Sequence, residues 1–192
     1  MFRLLQRPDI PPVPAEAEDG VRAQQKVYGL LRGRRNGGGE STGRSIALSE
    51  PEVNALLQRH LADATDLPLE GSVVRLPDHG TIEFAGRVPL GRILAEPPLS
   101  AIRDALPARW IRRPVWVHLR AHARLESGEG QRRYIRLDVG RFSLGEQRLP
   151  AALLPFLFNP TTLRVLRWQV PPGVESVTIE PGRVVIKAAL PR

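Results

Sequence analysis

From Val115 to Leu125 the chain alternates without a break. Val115, Val117, Leu119, Ala121, Ala123 and Leu125 are apolar, and Trp116, His118, Arg120, His122 and Arg124 stand between them. Successive side chains leave a strand on opposite faces, so the first set shares one side and the second set the other. This pattern belongs to an antiparallel sheet with one face on a core and the other in water. After the turn residues Ser127-Gly128-Glu129-Gly130, Ile135, Leu137 and Val139 extend the apolar face on a returning strand, opposite Tyr134, Arg136 and Asp138.

Two further hairpins are expected. One joins Val74 and Leu76 to the alternating run Thr81–Val88 across Pro77-Asp78-His79-Gly80; the other pairs Val174–Glu180 with Arg183–Ala188 across Pro181-Gly182. The helical signal is strongest at Ser49-Glu50-Pro51-Glu52, a capping box in which Glu52 reaches back to the Ser49 backbone and Pro51 occupies the harmless first turn. Val53, Leu56, Leu57, Leu61 and Ala64 follow at helical spacing, which predicts a helix from Glu50 to about Ala64. Short helices are expected at Leu99–Leu106 and, very apolar, at Pro150–Phe158, with another turn of helix at Asn159-Pro160. The fold class is therefore α+β: a curved antiparallel sheet of about six strands, built from three hairpins and packed on an amphipathic helix and short apolar helices.

Residues 48–192 are read as this single domain. Residues 1–47 are read as a flexible tail, proline-rich at Arg7–Pro14 and basic and Gly-rich at Arg32–Arg44, with room for a short helix over 16–31. The chain has no cysteine, so disulfides, thiolate metal sites and cysteine nucleophiles are excluded. Its net charge of +8 is carried by arginine, because Lys26 and Lys187 are the only lysines. Such a balance favours anionic partners, and it is also what a GC-rich coding sequence produces.

Several chemistries fail on spacing or context. Gly38–Ser45 approaches a phosphate-binding loop, but Arg44 replaces the lysine, no buried strand precedes it and the next helix has its own cap at Ser49. His118 and His122 have the spacing of helical zinc ligands, yet on a strand four residues span on the order of 13 Å. His60 and His79 have no compact cluster of acids beside them in sequence. There is no Gly-x-Ser-x-Gly elbow, and Ser143 has the wrong neighbours for one. Glu126, Glu129 and Glu146 fall in turns and make no glycosidase-like pair. A non-enzymatic protein is expected, with no metal and no cofactor implied.

Two surfaces remain as binding candidates. The row Trp116, His118, Arg120, His122, Arg124, with Tyr134 and Arg136 beside it, could stack bases and neutralise phosphates or meet lipid headgroups. It also reads as a solvated sheet face balanced by cross-strand pairs such as those Asp138 could make. Arg112-Arg113 and Arg132-Arg133 at strand ends add to the functional reading. The second candidate is Leu153, Leu154, Phe156, Leu157 and Phe158, more apolar than one buried stripe requires, and so either core or the wall of a lipid groove.

The stretch Leu137–Gly145, with Phe142-Ser143-Leu144-Gly145 followed by Leu149-Pro150 and an apolar helix, resembles the YpmS-like family of bacterial envelope proteins. The strand Val174–Ile179 and the helix with Asn54-Ala55-Leu56-Leu57 are similar too. The resemblance spans about Ser49 to Ala188 and carries no catalytic residues. It implies an extracytoplasmic or periplasmic domain behind a membrane anchor. The anchor itself does not appear in this sequence, which leaves a truncated chain, a misplaced start or a soluble cytoplasmic protein. The element order also resembles half of a tubular lipid-binding module. The leading expectation is an envelope protein that binds a lipid or other amphipathic ligand between the apolar sheet face and the Pro150–Phe158 helix, with contact to an anionic membrane surface. The alternatives are a nucleic-acid binder on the Trp116–Arg124 face and a structural partner-docking domain.

Overall fold

The computed structural model describes residues 13–32, 45–63, 69–95, 100–127, 133–157, 167–171 and 174–188. The Gly-rich stretch 33–44, most of the proline-rich stretch, the 128–130 turn and Asn159-Pro160 lie outside them. Two helices open the chain: α1 (Ala17–Arg32) and, after strand β1 (Ser45–Ser49), α2 (Glu50–Asp63). Strands β2 (Glu70–Arg75) and β3 (Thr81–Pro89) follow, then three short helices, α3 (Leu90–Ile93), α4 (Ser100–Ala105) and α5 (Ala108–Ile111). The long pair β4 (Pro114–Ser127) and β5 (Arg133–Leu144) comes next, and then β6 (Gln147–Leu149). A 3₁₀ turn (Ala151–Leu153) runs into α6 (Leu154–Leu157), and β7 (Arg167–Gln169), β8 (Val174–Glu180) and β9 (Arg183–Ala188) complete the fold.

The class is α+β with antiparallel sheets, as the alternation requires, but there are two sheets instead of one. The larger runs β2-β3-β4-β5-β6, with β7 also on β5; the third hairpin, β8–β9, leaves it and pairs with β1 in the order β1-β9-β8. The boundary drawn at residue 47 therefore falls inside a strand, with Ile46 opposite Ile186 and Leu48 opposite Val184. Backbone bonds join the sheets at their turns: the Gly80 N–H donates to the Ile179 carbonyl (3.0 Å) and the Gly182 N–H to the Leu76 carbonyl (2.8 Å). Gly80 and Gly182 both have positive φ, which is why glycine stands in these two turns.

The capping box forms as expected on its return side, with the Ser49 N–H donating to the Glu52 carboxylate at 2.8 Å. Glu52 is also the anchor for α1. The Lys26 ammonium reaches it at 2.7 Å and donates to the Ala47 carbonyl at 2.9 Å, so α1 is clamped onto β1 and α2. Burial alone would raise the Glu52 carboxyl, but the Lys26 ammonium and the Ser49 N–H outweigh it and hold it below the usual carboxylate range. Ala23 and Leu30 of α1 are buried, so the short helix foreseen in the tail is part of the packed structure.

Asn54, 1% exposed, closes the free edge of β2. Its carboxamide accepts from the Val74 N–H (2.7 Å) and donates to the Val74 carbonyl (2.8 Å), the two bonds a neighbouring strand would make. Glu50, one helical turn earlier, accepts from the Leu76 N–H at 2.6 Å. Side chains of α2 thus stand in for a missing strand on an edge that would otherwise be open to another chain.

Two apolar clusters fill the interior. One gathers Val88, Ile93, Val115, Val117, Phe142, Leu144 and Leu154; the other gathers Val74, Leu76 and Ile179, with Val53, Phe84 and Val184 against them. The apolar phase slips by one residue between Val139 and Phe142. A bulge absorbs it: Arg120 pairs with Arg141 and the next residue, Ala121, with Val139, leaving Gly140 without an opposite number. Phe142 and Val139 consequently share the core face despite their odd spacing.

The apolar helix expected over Pro150–Phe158 is shorter than its sequence suggests. In a continuous helix from Ala151, the Ala151 carbonyl would look for an N–H at position 155, which Pro155 lacks. The chain instead makes its 3₁₀ turn first and restarts as α6 at Leu154, placing Pro155 in the first turn, where the missing donor costs nothing.

Candidate functional site

β6 and β7 are two pieces of one edge strand. β6 pairs with Phe142–Leu144 and β7 with Tyr134–Arg136, both antiparallel and both on the edge of β5 away from β4. Between them the chain leaves the sheet through the 3₁₀ turn and α6, and residues 137–141 have no strand partner on that edge among the described residues. A cleft of about 670 Å³ lies at this interruption, lined by Glu126, Arg136, Leu137, Asp138, Val139, Ala151, Leu154, Pro155 and Arg167. The volume is of the size that small-molecule sites occupy. Leu137, Val139, Ala151 and Leu154 supply apolar surface, whereas Arg136, Asp138, Glu126 and Arg167 supply charge.

Of the residues expected to line a groove, Leu154 is the one among the described residues that does so, buried at 6% exposure. Leu157 packs against the main core cluster. Leu153 and Phe156 are exposed, at 38% and 54%, and line no part of the cleft. Phe158 lies outside the described residues. Across the 3₁₀ turn and α6, Ala151, Leu154 and Pro155 line the cleft, and the longer apolar side chains beside them, Leu153, Phe156 and Leu157, do not. Sequence reading missed Ala151 and Arg167 altogether and placed Leu137 and Val139 simply in the core. Their role follows from a gap in strand pairing, which no local pattern announces.

The second candidate surface does assemble. Register sets Arg124 opposite Arg136, His122 opposite Asp138 and Glu126 opposite Tyr134, while β3 brings Glu83 opposite Arg120 and Arg87 opposite Trp116. The assembled face is charge-balanced. Arg120 lies 2.7 Å from Asp78 and 3.3 Å from Glu83; Arg124 and Arg136 lie 3.2 and 3.1 Å from Asp138, and Arg136 also reaches Glu126 at 3.2 Å. The Arg87 guanidinium sits 5.7 Å from the Trp116 ring centre and that of Arg167 4.3 Å from the Tyr134 ring centre. Arg133 is also engaged: its guanidinium donates to the carbonyls of Val174 and Glu175 on β8.

The histidines of this face differ from each other. His122 is exposed and its ring covers Gly80, where an added Cβ would come within 2.4 Å of a ring carbon. His118 is half-buried, and its Nε2 is buried with no hydrogen-bond partner among the described residues. Burial pushes its pKa below the ordinary value of 6.5, against the opposing pull of Glu83. The unfolded chain therefore takes up a proton that the folded one resists. Stability should be full above about pH 6.5 and fall as the pH drops through mild acid. Thermal unfolding across that range should show the loss, and His118→Gln should lack that component. An NMR midpoint for His118 at or above the ordinary value would refute the assignment.

Set against protein-family models, curated proteins and solved structures, the chain matches none. Among the described residues no helix is long and apolar enough to cross a membrane.

Proposed function

We propose that this protein is a non-enzymatic binder of an amphipathic, anionic ligand, an acyl chain carrying an acidic headgroup, held in the cleft between β6 and β7. The observation that carries the reading is the meeting of two chemistries in one opening. Leu137, Val139, Ala151 and Leu154 offer an apolar wall, and Arg167, with no carboxylate within ion-pair distance among the described residues, lies at its polar side. Each methylene taken from water onto such a wall contributes about 0.8 kcal/mol, while a guanidinium at the mouth orients the charged end. The lining among the described residues includes no serine, histidine or lysine. Its two carboxylates, Glu126 and Asp138, both bond to Arg136, an arrangement that positions charge.

The resemblance to YpmS-like proteins supports placing it in the cell envelope, and a curved sheet wrapped around its helices, as in tubular lipid-binding modules, belongs to the same proposal. A nucleic-acid platform has less support, because Arg120, Arg124 and Arg136 are already neutralised by carboxylates of their own face.

Native mass spectrometry of the purified protein, followed by organic extraction, should find a co-purifying lipid. A fluorescent fatty acid should bind the wild type, and Ala151→Phe, which fills the cleft, should weaken that binding at least about tenfold with little change in melting temperature. A protein that carries no lipid and ignores the fatty acid, or a variant that binds it equally well, sinks the cleft reading. Fractionation that finds the protein wholly in the cytoplasm sinks the envelope half.

A further inference from the structure

Most of the arginines with described surroundings are matched by carboxylates or carbonyls, but those in the connection between β3 and β4 form a group apart. Arg92 on α3, Arg103 on α4, and Arg109, Arg112 and Arg113 on and just after α5 are all exposed. None has a carboxylate within ion-pair distance among the described residues. Asp104 is the one acid described in this connection. Arg109 lies on α5 and Arg112 is its αR C-cap three residues on, which puts these two on one side, and Arg113 follows directly.

Arg92 and the arginines at α5 are held together by backbone. Gly91 of α3 meets α5 so closely that a Cβ there would lie 2.3 Å from Ile111 Cγ2 and 3.2 Å from the Ile111 carbonyl oxygen. The Leu90 N–H also donates to the Arg113 carbonyl at 2.9 Å. Arg92 is thereby fixed beside Arg112 and Arg113 on touching turns. Trp110 lies among them, half-buried, with the Arg113 guanidinium 5.1 Å from its ring centre.

We infer that this arginine cap docks the protein onto an anionic lipid surface. Fixed positive charge that no carboxylate neutralises among the described residues is drawn to a layer of acidic headgroups, and an indole beside it suits the boundary between headgroup and acyl chain. A single-stranded nucleic acid would need open aromatic faces to stack on. Here Trp110, Trp116 and Tyr134 each already carry an arginine of the protein over the ring. The cap shares no residue with the cleft, so docking can fail while cleft binding stands, and the reverse.

The test is co-sedimentation of the full chain with vesicles of phosphatidylcholine alone or with added phosphatidylglycerol. The wild type should bind only the anionic vesicles and be released by salt. The triple variant Arg109→Gln/Arg112→Gln/Arg113→Gln should lose affinity about 100-fold. A control that removes the same charge from paired, exposed arginines, Arg22→Gln/Arg124→Gln/Arg183→Gln, should retain nearly all of it. Circular dichroism checks that both variants keep the wild-type fold. Equal losses in the two variants would show net charge alone at work and overturn the proposal. So would no binding to anionic vesicles, or tight binding to an oligonucleotide that the cap variant abolishes while vesicle binding is absent.

Discussion

Replacing Asn54 by leucine should cost about 3 kcal/mol of stability, although the new side chain is nearly the same size and better suited to a helix. Asn54 makes three hydrogen bonds, to the Glu50 carbonyl and to both backbone groups of Val74, from a position 1% exposed. Leucine supplies none of them. The Val74 N–H and carbonyl would then be buried with no partner, and each such group forfeits its solvation, about 1–3 kcal/mol for a neutral one. Chemical denaturation of the variant measures the loss, and hydrogen exchange locates it, since the Val74 amide should lose protection first. Asn54→Asp should do comparable damage by setting a carboxylate against the Val74 carbonyl. A change under about 0.5 kcal/mol for Asn54→Leu would mean that β2 does not depend on this side chain.

Phe142→Ala should be at least as costly, about 4 kcal/mol, by a different route. Phe142 is 2% exposed among Val88, Val115, Val117, Leu144 and Leu154, and truncation leaves a cavity that β-branched neighbours on paired strands cannot collapse to fill. The two substitutions strike different clusters with no shared partner. Their costs should add to within about 0.5 kcal/mol in the double variant. Because β3 and β4 run through both clusters, each single variant should still unfold in one transition with an unchanged denaturant slope. Separate transitions would show that the clusters are independent units, contrary to the continuity of those strands.

How much of this was legible beforehand depends on the range of the signal. The capping box, the β4 alternation and the turns at Pro77–Gly80 and Pro181-Gly182 are written within a few residues, and the structure has them where the residues place them; the 128–130 turn lies outside the described residues. β1 was missed because five residues with one fully buried position, Leu48, give no period to read. The departure of β8–β9 from the main sheet was hidden for the same reason, since its destination is β1. Asn54 looked like any polar helix residue; its partner is Val74, twenty residues on. The slip between Val139 and Phe142 was visible in the alternation and could have announced the Gly140 bulge. At the site, the sequence named the row of arginines on β4 and β5, but their neutralisation depends on cross-strand register and on Asp78 in a distant turn. The cleft was the least legible feature. β6 and β7 are three residues each, too short to show alternation, and their alignment along one edge exists only in three dimensions.

That alignment makes β5 the fixed rail on which the chain both leaves and rejoins the sheet, at Leu149 and at Arg167. Because both points are pinned by ladders to the same strand, the register of β4 and β5 is set independently of the stretch between them, whereas Leu154 ties its own turn to the core. On the proposed function, changes of sequence there that spare Leu154 alter ligand preference while both ladders stay as they are. The same freedom is open to engineering: a loop of different shape spliced between Leu157 and Arg167 would inherit the β5 side of the cleft and need to supply only the other side.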